Sequence, residues 1–327
     1  MSNVLLSAEA LVKHYVVRRQ FLGGAARQLR AVDGVSFKLA RREVLGVVGE
    51  SGCGKSTIGR MLVNLIEPTA GRVVFDGIDV TALDKAALRQ LRRRMQFVFQ
   101  DPYSSLNPRL TIERIVGEPL QIHHLCNAAE VTERTAAMLR KVGLGSDHMQ
   151  RYAHELSGGQ RQRVGIARAL ISGPELVVAD EPVSALDVSI QAQVLNLLAE
   201  LRHEMQLSMI MISHNMAVIQ HSCDRIAVMY LGQIVELGSA DEVVMTPAHP
   251  YTDALVSAVP VPDPTVRRQR IILQGDVANP VDPPTGCRFH TRCPHARPQC
   301  TAETPELREV RANHWVSCHR SEDIYGK

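Results

Sequence analysis

The sequence predicts an α/β protein with a parallel or mixed sheet core, an antiparallel β subdomain, an inserted helical subdomain and a small cysteine-rich C-terminal extension. Three observations predict it. A short apolar run over residues 43–49 ends in glycine and hands over to helical spacing over 58–66, which reads as strand, loop, helix. Two further buried-strand patterns, 176–179 and 208–212, flank an amphipathic helical pattern over about 190–205, the alternation that builds a parallel sheet. Four of the seven cysteines fall in the tail, beyond or among Pro260, Pro262, Pro264, Pro280, Pro283 and Pro284.

The elements between follow in order. An N-terminal strand-like segment carries Tyr15. Residues 71–80, GRVVFDGIDV, alternate about a central glycine turn, as a hairpin of a small antiparallel sheet does. From about 84 to 163 the pattern is largely helical and polar, broken by the Pro- and Asn-bearing stretch 101–109, and this is the inserted helical subdomain. The prolines mark a boundary near 260, dividing a first domain, 1–258, from an extension, 259–327.

At 327 residues the chain can bury one large core with an appendage, and 45% hydrophobic with 22% charged residues excludes a disordered chain or a coiled coil. A net charge of +3, spread along the chain, gives no support for nucleic acid as a partner. Apolar runs such as 176–179 and 209–212 fall far short of the roughly 18 to 20 residues that cross a bilayer. The N-terminus lacks a basic region followed by an apolar one, so the cytosol is the expected compartment.

Gly49-Glu50-Ser51-Gly52-Cys53-Gly54-Lys55-Ser56-Thr57 fits G-x-x-x-x-G-K-[ST] where a strand hands over to a helix. Glycines let successive N–H groups turn inward onto phosphate oxygens, and the helix start adds positive potential. Lys55 reaches the β- and γ-phosphates and the Ser56 hydroxyl ligates Mg²⁺. The second site pattern is an apolar strand ending in Asp180 and Glu181. A parallel sheet presents its ligand at the carboxyl ends of its strands, so Asp180 can reach Mg²⁺ through water while Glu181 polarises an attacking water.

Leu156-Ser157-Gly158-Gly159-Gln160, lying between the phosphate loop and the two acids, resembles the signature of ABC ATPases. Its physics is again N–H groups and a serine hydroxyl at a helix start, with Ser157 also an N-cap. The resemblance implies that Ser157, Gly158, Gly159 and Gln160 hold the nucleotide of an opposite protomer, so that two chains close around two ATP molecules. It also implies a glutamine, Gln100, that senses Mg²⁺ and water and links to a permease, and a loop from Ser184 to Asp187 that couples the protomers. His214 is similar to the switch histidine at the γ-phosphate, and Tyr15 to the aromatic that stacks on adenine. Asn215 departs from the family's usual Asp.

The stretches Asp101-Pro-Tyr-Ser-Ser-Leu-Asn-Pro-Arg109 and His249-Pro-Tyr-Thr-Asp-Ala-Leu255 resemble the oligopeptide, dipeptide and nickel import ATPases, and the insertion over 18–30 resembles the second ATPase of dipeptide systems. The resemblance implies an ATPase at the cytoplasmic face of the inner membrane, paired with a homologous second ATPase and two permease subunits and served by an external solute-binding protein. Di- or oligopeptide is the expected cargo; nickel or another small solute, or a soluble ABC ATPase without a permease, is the alternative. Cys287, Cys293, Cys300 and Cys318 would be disulfides in an exported protein, whereas clustered thiols in the cytosol more often bind metal. Their spacing lacks the CxxC knuckle of structural zinc. Four thiolates suit a [4Fe-4S] cluster, which tails of this kind can carry; zinc and unliganded thiols are the other two readings.

Overall fold

The computed structural model describes residues 3–18, 27–259 and 270–326. Most of the insertion over 18–30 and the boundary near 260 therefore lie outside the described residues. In chain order come strands β1 (Val4–Arg18), β2 (Arg27–Ala40) and β3 (Val44–Val48), helix α1 (Lys55–Leu62), strands β4 (Ala70–Phe75) and β5 (Ile78–Asp79), helix α2 (Lys85–Arg92) and strand β6 (Met95–Val98). Helices α3 (Pro102–Ser105), α4 (Ile112–Ile122), α5 (Ala128–Lys141) and α6 (Gly158–Leu170) precede β7 (Leu176–Asp180), α7 (Val188–Met205), β8 (Ser208–Ser213), α8 (Met216–Ser222), β9 (Arg225–Tyr230), β10 (Gln233–Ser239), α9 (Ala240–Met245) and α10 (Pro250–Ser257). The tail adds α11 (Pro298–Ala302), β11 (Arg308–Arg311), β12 (His314–Val316) and α12 (Ser321–Tyr325).

The contacts divide the chain into two compact units. The first holds Met1–Leu5, Leu39–Glu43 and Ala82–Ile212. Its strands β6, β7 and β8 run parallel, with Met95 opposite Leu176 and Leu176 opposite Ser208. Every residue of β7 and β8 is buried, which is why both read as continuous apolar runs without alternation. The range 84–163, which reads from sequence as largely helical with a strand over 95–99 before Gln100, contains β6 of this sheet as well as helices. Helices α4, α5 and α6 pack together through Ile112, Ile115, Val116 and Leu120, through Val131, Met138 and Leu139, and through Val164 and Ile166. Helix α5 starts at a capping box of Asn127 and Glu130.

The second unit holds Leu6–Lys38, Val44–Thr81 and Ser213–Lys327. Here β3 pairs parallel with β9, and β10, β12 and β11 continue antiparallel from it. The hairpin of β11 and β12 thus builds the tail into the same ladder as β10. A separate sheet has the order β2-β1-β4-β5, with the expected hairpin of β4 and β5 at its end. The rings of Tyr230, Tyr251 and Phe289, each at most 1% exposed, meet with centroids 4.7 to 5.4 Å apart. Each such pair contributes about 0.5 to 1.5 kcal/mol beyond its area burial. Among the described residues no helix is long and apolar enough to cross a membrane.

Candidate functional site

In the second unit the phosphate loop leaves β3 and enters α1. Gly54 caps the helix at φ 106°, a left-handed conformation, and a Cβ there would stand 2.1 Å from the Ala31 carbonyl oxygen. A Cβ at Gly49 would stand 2.2 Å from the carbonyl oxygen of Met229, so the loop backbone lies against its neighbours with no room for a side chain. Lys55 is 5% exposed, and its Nζ donates to the carbonyls of Gly49 at 2.8 Å and Glu50 at 2.9 Å. Helix α1 starts at Lys55, and the N–H groups and positive potential of a helix start favour an anion there. Ser51 and Gly52 are exposed at the mouth of the loop. Burial pushes the Cys53 thiol up, with the Lys55 ammonium opposing, so Cys53 is a small neutral wall.

Two further expected residues belong to this unit. His214 is exposed directly after β8. Asn215, the departure from the usual Asp, N-caps α8: its Oδ1 accepts from Ala217 N at 2.9 Å, a task Asn and Asp perform equally. Tyr15 lies in β1 with its ring 36% exposed and the Lys13 ammonium 5.3 Å from its centroid.

The first unit supplies the acids. Asp180 ends β7 at 1% exposure. Glu181 follows at φ 46°, a conformation that costs a non-glycine residue about 1 kcal/mol or more, held by its N–H donating to the Ile212 carbonyl at 2.9 Å. Gln100, after β6, donates from Nε2 to Glu181 Oε2 at 2.9 Å, so the two residues meet as the ends of adjacent strands. The Ser184 hydroxyl donates to the Glu181 carbonyl at 3.2 Å, and Asp187 occupies the N-cap position of α7 without a side-chain cap hydrogen bond. Ser157 and Gln160 form a reciprocal capping box at the start of α6, with Gln160 N donating to Ser157 Oγ at 3.3 Å and Ser157 N to Gln160 Oε1 at 2.9 Å. Cβ atoms at Gly158 and Gly159 would meet Leu186 and Ile190, so the serine-glycine turn lies beside the loop of Ser184 and Asp187. Within this unit Asp180 and Gln100 both offer oxygen, the donor that Mg²⁺ takes.

In the tail, Cys287, Cys293, Cys300 and Cys318 line one pocket, with His249 and Phe289 in its wall. Gly286, at φ 68°, brings the chain so close that a Cβ would stand 2.5 Å from the Cys300 carbonyl oxygen, and Cys287 N donates to that same oxygen at 2.8 Å. Burial pushes the Cys287 thiol up to about 12, with the neighbouring thiols adding and the Phe289 N–H opposing. Burial likewise raises Cys293 and Cys318. Among the described residues no three His, Cys, Asp or Glu side chains stand close enough to hold a single metal ion.

Sequence reasoning missed Glu50, whose N–H donates to the Tyr251 hydroxyl at 2.9 Å and whose carboxylate accepts from both terminal nitrogens of Arg292, at 2.7 and 3.2 Å. It also missed Arg288, which donates to the Asp33 carboxylate and the Leu231 carbonyl. One signal was available: an acid inside an anion-binding loop requires a countercharge. Nothing local says that the countercharge lies far along the chain.

Residues 32–184 match the family model described as ABC transporter, and residues 235–300 match the one described as oligopeptide/dipeptide transporter, C-terminal region. A putative peptide import ATP-binding protein of Brucella ovis is 53% identical over 316 residues, covering 97% of this chain and 98% of the relative. The oligopeptide transport ATP-binding protein AppF of Bacillus subtilis is 48% identical over 320 residues, covering 97% of each. Among solved structures, a dimeric ATP-binding cassette in a post-hydrolysis state with ADP and phosphate bound superposes with a TM-score of 0.65 at 28% identity, over 72% of this chain and 99% of that one.

Proposed function

This chain belongs to the ABC transporter ATP-binding proteins, in their oligopeptide and dipeptide branch, and from that membership we propose how its residues couple ATP hydrolysis to peptide import. It is the ATP-hydrolysing subunit of a peptide importer. Nickel import, or a motor without a permease, is not favoured, because residues 235–300 match the peptide transporters' own C-terminal region.

The carrying observation is the hydrogen bond of Gln100 to Glu181 at the ends of two parallel strands. It fixes one carboxylate oxygen, so the carboxylate is aimed rather than free to rotate, as a group that orients an attacking water must be. The N–H groups of Gly49, Ser51, Gly52, Cys53, Gly54 and Thr57 cradle the phosphates and Lys55 pairs with the β- and γ-oxygens. Ser56, Gln100 and Asp180 hold Mg²⁺, which when bound neutralises charge on the phosphoryl oxygens. Water oriented by Glu181 attacks the γ-phosphorus, the bond to the bridging oxygen breaks, and ADP leaves as phosphate forms. His214 steadies the γ-phosphate, Tyr15 stacks on the adenine, and Ser157 to Gln160 close over the nucleotide of a facing protomer while Ser184 and Asp187 couple the two.

The facing protomer is a homologous second ATPase, and the pair drives two permease subunits from the cytoplasmic face of the inner membrane, with an external binding protein supplying peptide. Residues 1–258 are the motor domain and 259–327 its extension. The four cysteines of the extension hold a [4Fe-4S] cluster. Their convergence on one pocket supports this, since four thiolates suit such a cluster. A colourless, iron-free sample made anaerobically with iron and sulfide in supply would remove the cluster.

Glu181→Gln, tested in the assembled importer, is expected to bind ATP and lose hydrolysis by on the order of a hundredfold or more. Turnover at the wild-type rate would contradict the role given to Glu181.

A further inference from the structure

Glu50 presents an anomaly: a carboxylate in the middle of a loop whose purpose is to receive phosphate. Left bare, its charge would repel the nucleotide at close range. Both of its ends are held from the C-terminal half of the chain. Arg292, with an 8% exposed side chain, forms a two-pronged pair with the carboxylate, and the Tyr251 hydroxyl takes the backbone N–H. Arg292 sits one residue before Cys293, and the stretch from Cys287 to Cys293 also carries Arg288, tied to Asp33, and Phe289. Phe289 is 1% exposed, packs on Tyr230 and Tyr251 at 5.2 and 5.4 Å, and forms a wall of the cysteine pocket. A stretch that begins and ends at cysteines lining the pocket therefore reaches the phosphate loop through Arg292.

We propose that residues 287–293 are a positioning element for the phosphate loop, in which Arg292 neutralises and orients Glu50, so that anchoring of Cys287 and Cys293 in their pocket sets the affinity for nucleotide. The link to what fills the pocket rests on the cluster reading above; the pairing of Arg292 with Glu50 does not. Arg292 is a positioning residue, since it acts on nucleotide through Glu50. Its removal exposes a charge, so the loss should depend on that charge and shrink as salt screens it.

The test is equilibrium binding of a fluorescent ATP analogue with Mg²⁺ to the full-length chain, with iron counted per chain in the same samples. Arg292→Gln is expected to weaken binding about tenfold, within the usual range of coupling between sites, and less at high salt. Arg292→Lys should recover most of the loss, and so should Glu50→Gln added to Arg292→Gln, because no bare charge then faces the phosphates. Cys293→Ser should weaken binding in the wild-type background and add little to Arg292→Gln. Binding by Arg292→Gln within twofold of wild type overturns the proposal, as does a loss that Glu50→Gln fails to repair, or a Cys293→Ser effect equal in both backgrounds. Should Arg292→Gln not fold, Glu50→Gln alone decides: it is expected to bind at least as tightly as wild type, and clearly weaker binding overturns the proposal. Iron-free wild type with the non-additive pattern removes the cluster and leaves the positioning element; iron-bearing wild type with additive effects does the reverse.

Discussion

His249 is fully buried at the start of α10, with its Nδ1 accepting from Tyr251 N at 3.0 Å, and burial holds its pKa down at about 3. The folded imidazole is thus neutral over the whole range in which an unfolded one, near 6.5, gains its proton. Stability from this residue is complete above about pH 6.5 and declines as pH falls toward 3, with a slope approaching about 1.4 kcal/mol per pH unit, because only the unfolded chain takes up the proton. Urea midpoints of wild type and His249→Asn between pH 7 and 4.5 measure it. The variant should have the shallower acid limb, and parallel curves would contradict the assignment. Asn215 gives a second expectation at this scale: Asn215→Asp should leave stability nearly unchanged, whereas Asn215→Ala should cost about 1 kcal/mol by chemical denaturation, since only the first keeps the cap of α8.

Strand β10 and helix α10 are joined by one buried carboxylate. Glu236, at 0% exposure, accepts from Ala248 N at 2.8 Å, His249 N at 2.9 Å and His314 Nε2 at 2.7 Å, so it links the start of α10 to β12. Glu236→Ala leaves His314 and two amides buried without their acceptor and is expected to cost about 3 to 5 kcal/mol. Thermal and urea unfolding would register this, and a loss below about 1 kcal/mol would contradict it. Elements of this kind mark the limit of what the sequence could disclose. Strands β3, β7 and β8, the hairpin of β4 and β5, and helices α1 and α7 were legible because each is written in a local period or a glycine turn. The signature turn and the acids were legible because their chemistry demands residue types at fixed spacing. Glu236 with His314, Glu50 with Arg292, and β12 on β10 are pairings across tens to hundreds of residues, for which a single chain carries no local signal. The pocket of four cysteines stands between these cases: the thiols were countable, but their convergence depends on Gly286 and on the packing of Phe289.

At the scale of the whole molecule, the residues of the proposed mechanism are divided between the two compact units. The phosphate loop and His214 lie in one, the acids, Gln100 and the serine-glycine turn in the other. The turn faces outward from the start of α6 and, in the proposed mechanism, serves a nucleotide this chain does not itself hold. Ser157→Asp isolates that claim. Asp caps a helix as well as Ser does, so α6 keeps its start, but its carboxylate would stand where, in the proposed mechanism, a γ-phosphate approaches. The decisive measurement is ATP hydrolysis by the importer assembled from this chain, the proposed second ATPase and the permease, with Ser157→Asp in this chain alone. A fall of more than about tenfold, with nucleotide binding to the isolated chain preserved, is the expected result; hydrolysis at the wild-type rate would contradict an ATP shared between two chains.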